Sequence, residues 1–197
     1  MEILSFHDLF SRLRGTHRKT LQKGSLLFRQ GDSADYVYYV QSGELRLVRY
    51  TPDGHSVCLH TAYDGESFAE AALFTDIYHC NGEVMKDSEV WCYPRLGVLK
   101  KINTDPVCMR RFHAILASQV RHLRFLMELR GIQSATERVT QYFRMLADRD
   151  GKVHLRDTLF ETSKEIGMAH ETFYRTIKKL EKNGTIRREG KRTFIIL

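Results

Sequence analysis

Residues 165–186 read EIGMAHETFYRTIKKLEKNGTI. Phe173, Ile177 and Leu180 recur three or four residues apart, the spacing that lines one face of a helix. Glu171, Tyr174, Arg175 and Lys178 fall on another face. Gly167 supplies a tight turn before this helix, which starts at His170 or just before it and runs to about Lys182. Asn183-Gly184 stops it. Working outward, Thr158 to Ile166 predicts a short helix on the N-terminal side, although Thr162 stands where an apolar residue would pack better. On the C-terminal side, Thr185–Arg188 and Thr193–Ile196 predict a two-stranded hairpin closed at Glu189-Gly190. Further upstream, Glu137 to Asp148 predicts a helix with Val139, Tyr142, Phe143, Leu146 and Ala147 on its apolar side, ended by the turn Asp148–Gly151. The order is helix, turn, helix, wing.

Such a unit has a definite chemical use. An Arg side chain matches the O6 and N7 of guanine, and a Glu accepts from the N4 of cytosine. Glu171 and Arg175, one helical turn apart, can read adjacent base pairs and orient each other; a plain surface ion pair is the simpler alternative. Arg187, Arg188, Lys191 and Arg192 cluster at the wing and suit phosphate neutralisation, as do Thr172 and Lys178 on the helix. The charge distribution agrees. Residues 1–102 hold 12 Lys and Arg against 13 Asp and Glu, residues 103–131 hold 5 against 2, and residues 132–197 hold 14 against 9, within a chain of net charge +7. A basic region on a folded domain is the footprint of a polyanion, or else a solvated surface.

Before this unit lies a long helical stretch, Asp105 to about Gly131, with Asn103, Thr104 and Asp105 as candidate N-caps and Pro106 in its first turn. Met109, Phe112, Leu116, Val120, Leu123 and Met127 form its stripe, widened by Ile115, Leu126 and Leu129. So broad a stripe can serve two partners, its own N-terminal half and a second copy of the helix; Phe112, Leu116, Val120, Leu123 and Met127 are the candidate dimer contacts. From Arg18 to Pro94 the chain reads instead as short strands and turns. Leu26–Phe28 precede Gln30-Gly31-Asp32, Tyr36–Val40 end before Ser42-Gly43, and Leu45 and Leu47 alternate with polar neighbours. Thr51-Pro52-Asp53-Gly54 is a strong turn. Ser67 to Phe74 is a short helix-prone interruption, and Glu89 to Tyr93 resumes as strand. This spacing predicts a barrel or jelly roll.

Lys23-Gly24, Phe28, Gly31-Asp32, Tyr38, Val40, Gly43, the Pro-Asp-Gly turn and Gly65…Glu70…Leu73-Phe74 together resemble the cyclic-nucleotide-binding β-roll. With the C-terminal unit, the chain from about residue 18 onward resembles the cyclic AMP receptor / fumarate-nitrate regulator (CRP/FNR) family of bacterial transcription regulators. The resemblance implies an α+β architecture: a double-stranded β-roll sensor domain over 1–102, a dimerisation helix over 103–131 and a winged helix-turn-helix over 132–197. It also implies a homodimer on near-palindromic double-stranded DNA, with RNA polymerase as a further partner. The family's recognition pattern E-T-x-x-R stands here as Glu171-Thr172…Arg175. His170, before it, and Tyr174 complete the base-reading candidates.

The same resemblance places the effector pocket at Ala69, Glu70, Cys80, Asn81, Leu123 and Arg124. Cyclic-AMP-responsive members carry a Gly-Glu pair and then an Arg-Ser/Thr pair that holds the phosphate; here Glu70 is kept, but the Gly is Ala69 and the Arg-Ser pair is Cys80-Asn81. A buried phosphate without its cation carries a large desolvation penalty, so cyclic AMP in that mode is not expected. No cofactor is predicted. The first of four scattered cysteines, Cys58, Cys80, Cys92 and Cys108, comes at position 58, which argues against the family's N-terminal iron–sulfur group, and free buried thiols are expected. His55, His60, His79, His113 and His122 leave haem open. The segment from Met1 to His17 mixes Glu2, Asp8, Arg12 and Arg14 with apolar residues, unlike a signal peptide, and no apolar run approaches the ~18 residues of a membrane span. A cytoplasmic protein without membrane partners is expected. No catalytic motif was found, so an enzyme is not expected. The leading expectation is a sequence-specific transcription regulator. The alternatives are a haem-based gas sensor regulator and a ligand-binding module that regulates a partner protein; E-T-x-x-R and the basic wing separate the last from the first.

Overall fold

The computed structural model describes residues 5–197; Glu2, named above, lies outside them. The chain forms two compact units, one running to Leu116 and the other from Ala117 to Leu197. The division falls inside the long helix, between the two boundaries expected from the sequence.

The first unit opens with α1 (Phe6–Phe10), capped by Ser5, whose side chain accepts from the Asp8 N–H while the Asp8 carboxylate accepts from the Ser5 N–H. Then come β1 (His17–Leu21), β2 (Leu26–Phe28), β3 (Tyr36–Tyr50), β4 (Ser56–Tyr63), β5 (Ser67–Phe68), a 3-10 turn (Glu70–Phe74) and β6 (Asn81–Pro94). The strands form one antiparallel sheet in the order β1-β6-β3-β4, with β2 on β6 and β5 on β3. Val40 pairs with Val90 and Leu45 with Val84. Alternation along the strands sorts neighbours onto opposite faces. Tyr38 and Cys92 enter the core inside the roll, with Phe28, Leu45, Phe68, Tyr78 and Val84. Val37 and Tyr93 enter a second core against the helices.

That second core is closed by α1, by α2 (Arg95–Thr104), and by the first turns of α3 (Pro106–Gly131). Of the three cap candidates Asp105 does the work: its Oδ1 accepts from the N–H groups of Val107 and Cys108, each at 3.0 Å, and these bonds hold its carboxyl below the usual range. Phe112 corrects an expectation. It is 1% exposed and packs edge-on against Phe6 and Phe10, so it belongs to this core and not to a surface that could meet a second copy. The thiols also differ from expectation. Cys92 and Cys108 are buried, with burial pushing Cys92 up to about 11, whereas Cys80 is half-buried and Cys58 is exposed.

The second unit holds the rest of α3, then α4 (Ala135–Leu146), β7 (Lys152–His154), α5 (Leu159–Glu165), α6 (His170–Lys182), β8 (Ile186–Arg188) and β9 (Thr193–Ile196), with strand order β7-β9-β8. Leu129, Val139, Phe143, Val153, Leu155, Ile166, Phe173, Ile177 and Phe194 are its fully buried centre. The architecture is α+β: a β-roll, a long helix and a winged helix-turn-helix.

Candidate nucleic-acid interface

Recognition requires a helix whose inner face is anchored and whose outer face is uncommitted. Phe173, Thr176, Ile177 and Leu180 are the buried side of α6, and the Thr176 hydroxyl donates to the Thr172 carbonyl at 2.7 Å. His170, Glu171, Tyr174, Arg175 and Lys178 are exposed on the other side. Among the described residues neither Glu171 nor Arg175 has an ion-pair partner, so the mutual pairing considered above is not formed and both head groups remain available. Lys178 Nζ sits 4.8 Å over the Tyr174 ring.

The turn before α6 is held by two arginines that the sequence reading did not single out. Arg138 on α4 donates from Nη1 to the Gly167 carbonyl at 2.9 Å and from Nε to the Ile132 carbonyl at 3.0 Å. Arg130 at the end of α3 donates to the Glu165 carbonyl at 3.2 Å. Gly167 has φ +66° in this turn, and a Cβ there would lie 2.9 Å from Arg130 Cγ, so both backbone and space demand glycine. Behind the turn, Glu165 accepts from the Tyr142 hydroxyl at 2.7 Å and lies 3.8 Å from His122 Nε2. Burial raises its carboxyl, but the bonds from His122 and Tyr142 outweigh that and bring it below the usual range. Thr158 caps α5 by accepting from the Glu161 N–H at 3.2 Å; Thr162, which looked misplaced, is buried one turn on. Thr172 is half-buried and lines a cleft of about 210 Å³ with Gln133, Arg138, Gly167, Met168 and Ala169.

The wing separates into two kinds of cation. Arg188 is half-buried: its Nε donates to Glu181 Oε1 at 2.7 Å, and its guanidinium lies 4.7 Å over the Phe194 ring. It ties β8 to α6. Arg192 donates to the Arg156 carbonyl at 2.8 Å, and Arg187 lies 3.4 Å from Glu189. Lys191 is exposed.

The candidate effector residues are differently placed. Ala69, Glu70, Cys80 and Asn81 stand in the first unit; Leu123 and Arg124 are exposed on the part of α3 that belongs to the second. Glu70 is buried and accepts from the Ser67 hydroxyl. Asn81 Oδ1 accepts from the Gln30 N–H at 2.8 Å. The nearby Arg49 guanidinium donates to the His79 carbonyl at 3.1 and 3.3 Å. Inside the roll the Phe28 ring stacks on Tyr78 at 3.8 Å and on Tyr38 at 5.6 Å, and the two tyrosine hydroxyls are 3.1 Å apart. A Cβ on Gly82 would fall 2.8 Å from Phe28 Cε1. Ala69 takes φ 65°, ψ 29°, the left-handed conformation in which a glycine would be unstrained. Along α3, Leu116 is half-buried, while Val120, Leu123 and Met127 are exposed, Met127 at 71%.

Residues 18–105 match the family described as Cyclic nucleotide-binding domain. Over its length the chain is similar to the transcriptional activator protein FnrA of Stutzerimonas stutzeri, at 26% identity over 90% of this chain and 76% of that one. It is also similar to the cyclic AMP receptor protein of Thermus thermophilus, at 26% identity over 86% of this chain and 79% of that one. The solved structure of FixK2 from Bradyrhizobium japonicum shares the fold, with a TM-score of 0.72 at 22% identity and 92% of each chain covered.

Proposed function

We propose that this chain, a transcription regulator of the CRP/FNR family, binds a near-palindromic DNA site as a homodimer, with one α6 helix in each of two major grooves about 34 Å apart. The observation that carries the proposal is the division of α6: Phe173, Ile177 and Leu180 are sealed in the core while His170, Glu171, Tyr174 and Arg175 are exposed. Glu171 and Arg175 read the half-site core, and His170 and Tyr174 read beside it. Thr172 and Lys178, with Arg187, Lys191 and Arg192 at the wing, address phosphates. Arg188 acts mainly by holding the wing to α6.

Val120, Leu123 and Met127, with Leu116 at the inner edge, are spaced alternately four and three residues apart, the seam of a two-helix coil, and support pairing of α3 with its copy. The interior of the roll supports a scaffold, or a sensor of something other than cyclic AMP: Glu70 and Asn81 are bonded within the protein, and Cys80 puts no cation where the family has its phosphate-binding Arg. A regulator of this kind works in the cytoplasm and communicates with RNA polymerase.

Selection of bound duplexes from a random pool with the full chain tests the proposal. The expected result is an inverted repeat whose half-site centres lie one helical turn apart, with binding that falls steeply between 50 and 200 mM salt. No enrichment, or enrichment of a single unrepeated site, overturns it.

A further inference from the structure

We propose that Phe160, on the first helix of the helix-turn-helix, is itself a base-reading residue: it contacts the 5-methyl group of a thymine beside the Glu171/Arg175 core. The inference rests on the DNA-binding function proposed above and adds a residue from a second helix to the reading surface.

The observation is a continuous row of side chains drawn from α5 and α6. Lys164 Nζ lies 4.1 Å over the Phe160 ring. That ring meets the His170 imidazole edge-on, 5.5 Å between centres at 68°. His170 is followed by the Tyr174 ring at 6.3 Å, and Lys178 Nζ lies 4.8 Å over Tyr174. The row therefore runs cation, aromatic, imidazole, aromatic, cation. Phe160 is 47% exposed and Tyr174 41%, so two of the largest apolar side chains of this unit stand in solvent side by side with the first residue of the recognition helix. The fold does not need Phe160 there. Its neighbour Leu159 makes the contact with the core, and Phe160 is outside that cluster.

The chemistry of the row fits one occupant. The N-terminal residues of a recognition helix approach base edges, and His170 is the first of them. A phenyl ring has neither donor nor acceptor, and the thymine methyl is the apolar feature that a base pair presents in the major groove. The flanking ammonium groups of Lys164 and Lys178 suit the phosphate rails on either side of the groove. Lys164 and His170 also hold the ring from two directions, so it meets the methyl with little ordering left to do.

The test uses the full chain and the duplex that the wild type selects, with each half-site thymine replaced in turn by deoxyuridine, which removes only the methyl. Wild type is expected to bind about fourfold more weakly at one position adjoining the core, equivalent to about 0.8 kcal/mol for one buried methyl-sized group. Phe160→Ala should bind the thymine and deoxyuridine duplexes equally, with its melting temperature unchanged, and Phe160→Leu should retain most of the discrimination. Unaltered discrimination in Phe160→Ala, or a uniform loss on all duplexes, overturns the inference and leaves the DNA-binding function standing. A wild-type chain that enriches no sequence overturns both.

Discussion

The β-roll and the C-terminal unit treat their polar groups in opposite ways. In the roll, the groups at the nucleotide positions are spent on the protein: Glu70 on Ser67, Asn81 on the Gln30 N–H, and nearby Arg49 on the His79 carbonyl. Its interior is filled by the stacked rings of Phe28, Tyr38 and Tyr78. In the C-terminal unit the supporting arginines are spent in the same way, Arg138 and Arg130 on backbone carbonyls, but the face they support is left open at Glu171 and Arg175. A frame can thus be kept for two different ends. In the roll the bonded groups stabilise the protein itself, and in the C-terminal unit they support a few uncommitted side chains.

The contrast breaks most readily at the ring stack. Phe28→Ala should lower stability by about 3–5 kcal/mol in urea unfolding, the range for emptying a packed aromatic site, while the base preference of the DNA-binding unit stays the same. A loss under 1 kcal/mol would mean the roll has room after all. Arg175→Ala tests the other side: it should weaken binding to the selected site by about 1–3 kcal/mol and relax one base pair, with no change in melting temperature. Equal losses on selected and random duplexes would remove its reading role. At the wing, Arg188→Ala should reduce stability by about 1 kcal/mol through its lost ion pair and ring contact. Lys191→Ala should instead leave melting unchanged and lower the salt slope by about 1. The smallest effect is expected at Ala69→Gly, which relieves a left-handed alanine and should stabilise the roll by about 0.5–1 kcal/mol, read as an upward shift in its thermal transition.

The C-terminal unit was largely legible because its signals are local. A strict three-and-four spacing marks α6, and Asn183-Gly184 ends it where the periodicity does. α2 carried no comparable signal. Only Val98 and Ile102 are buried, Leu96 is 72% exposed, and Gly97 interrupts the first turn, so no apolar stripe stands out. β6 extends well before the run from Glu89, which the turn-like residues Gly82, Lys86, Asp87 and Ser88 conceal; Gly82 and Lys86 are held in the strand by pairing with β3, and Ser88 by pairing with Leu21 of β1. Phe112 shows the limit of periodicity. Spacing puts it in one row with Leu116 and Val120, but which part of a broad stripe turns inward depends on Phe6 and Phe10, about a hundred residues away. Phe160 was missed for a related reason, since a single Phe beside a Leu looks like ordinary core until its ring is seen on the outside.

The bond between Arg188 and Glu181 has a consequence for engineering. Specificity is commonly rebuilt by grafting a foreign helix, and a graft that replaced residue 181 with a neutral side chain would strand a half-buried guanidinium on the hairpin. The transplant would then lose affinity for reasons unrelated to any base. A chimera that imports residues 170–180 and keeps Glu181 from this chain retains the strut, and its altered preferences can be attributed to the imported contacts alone.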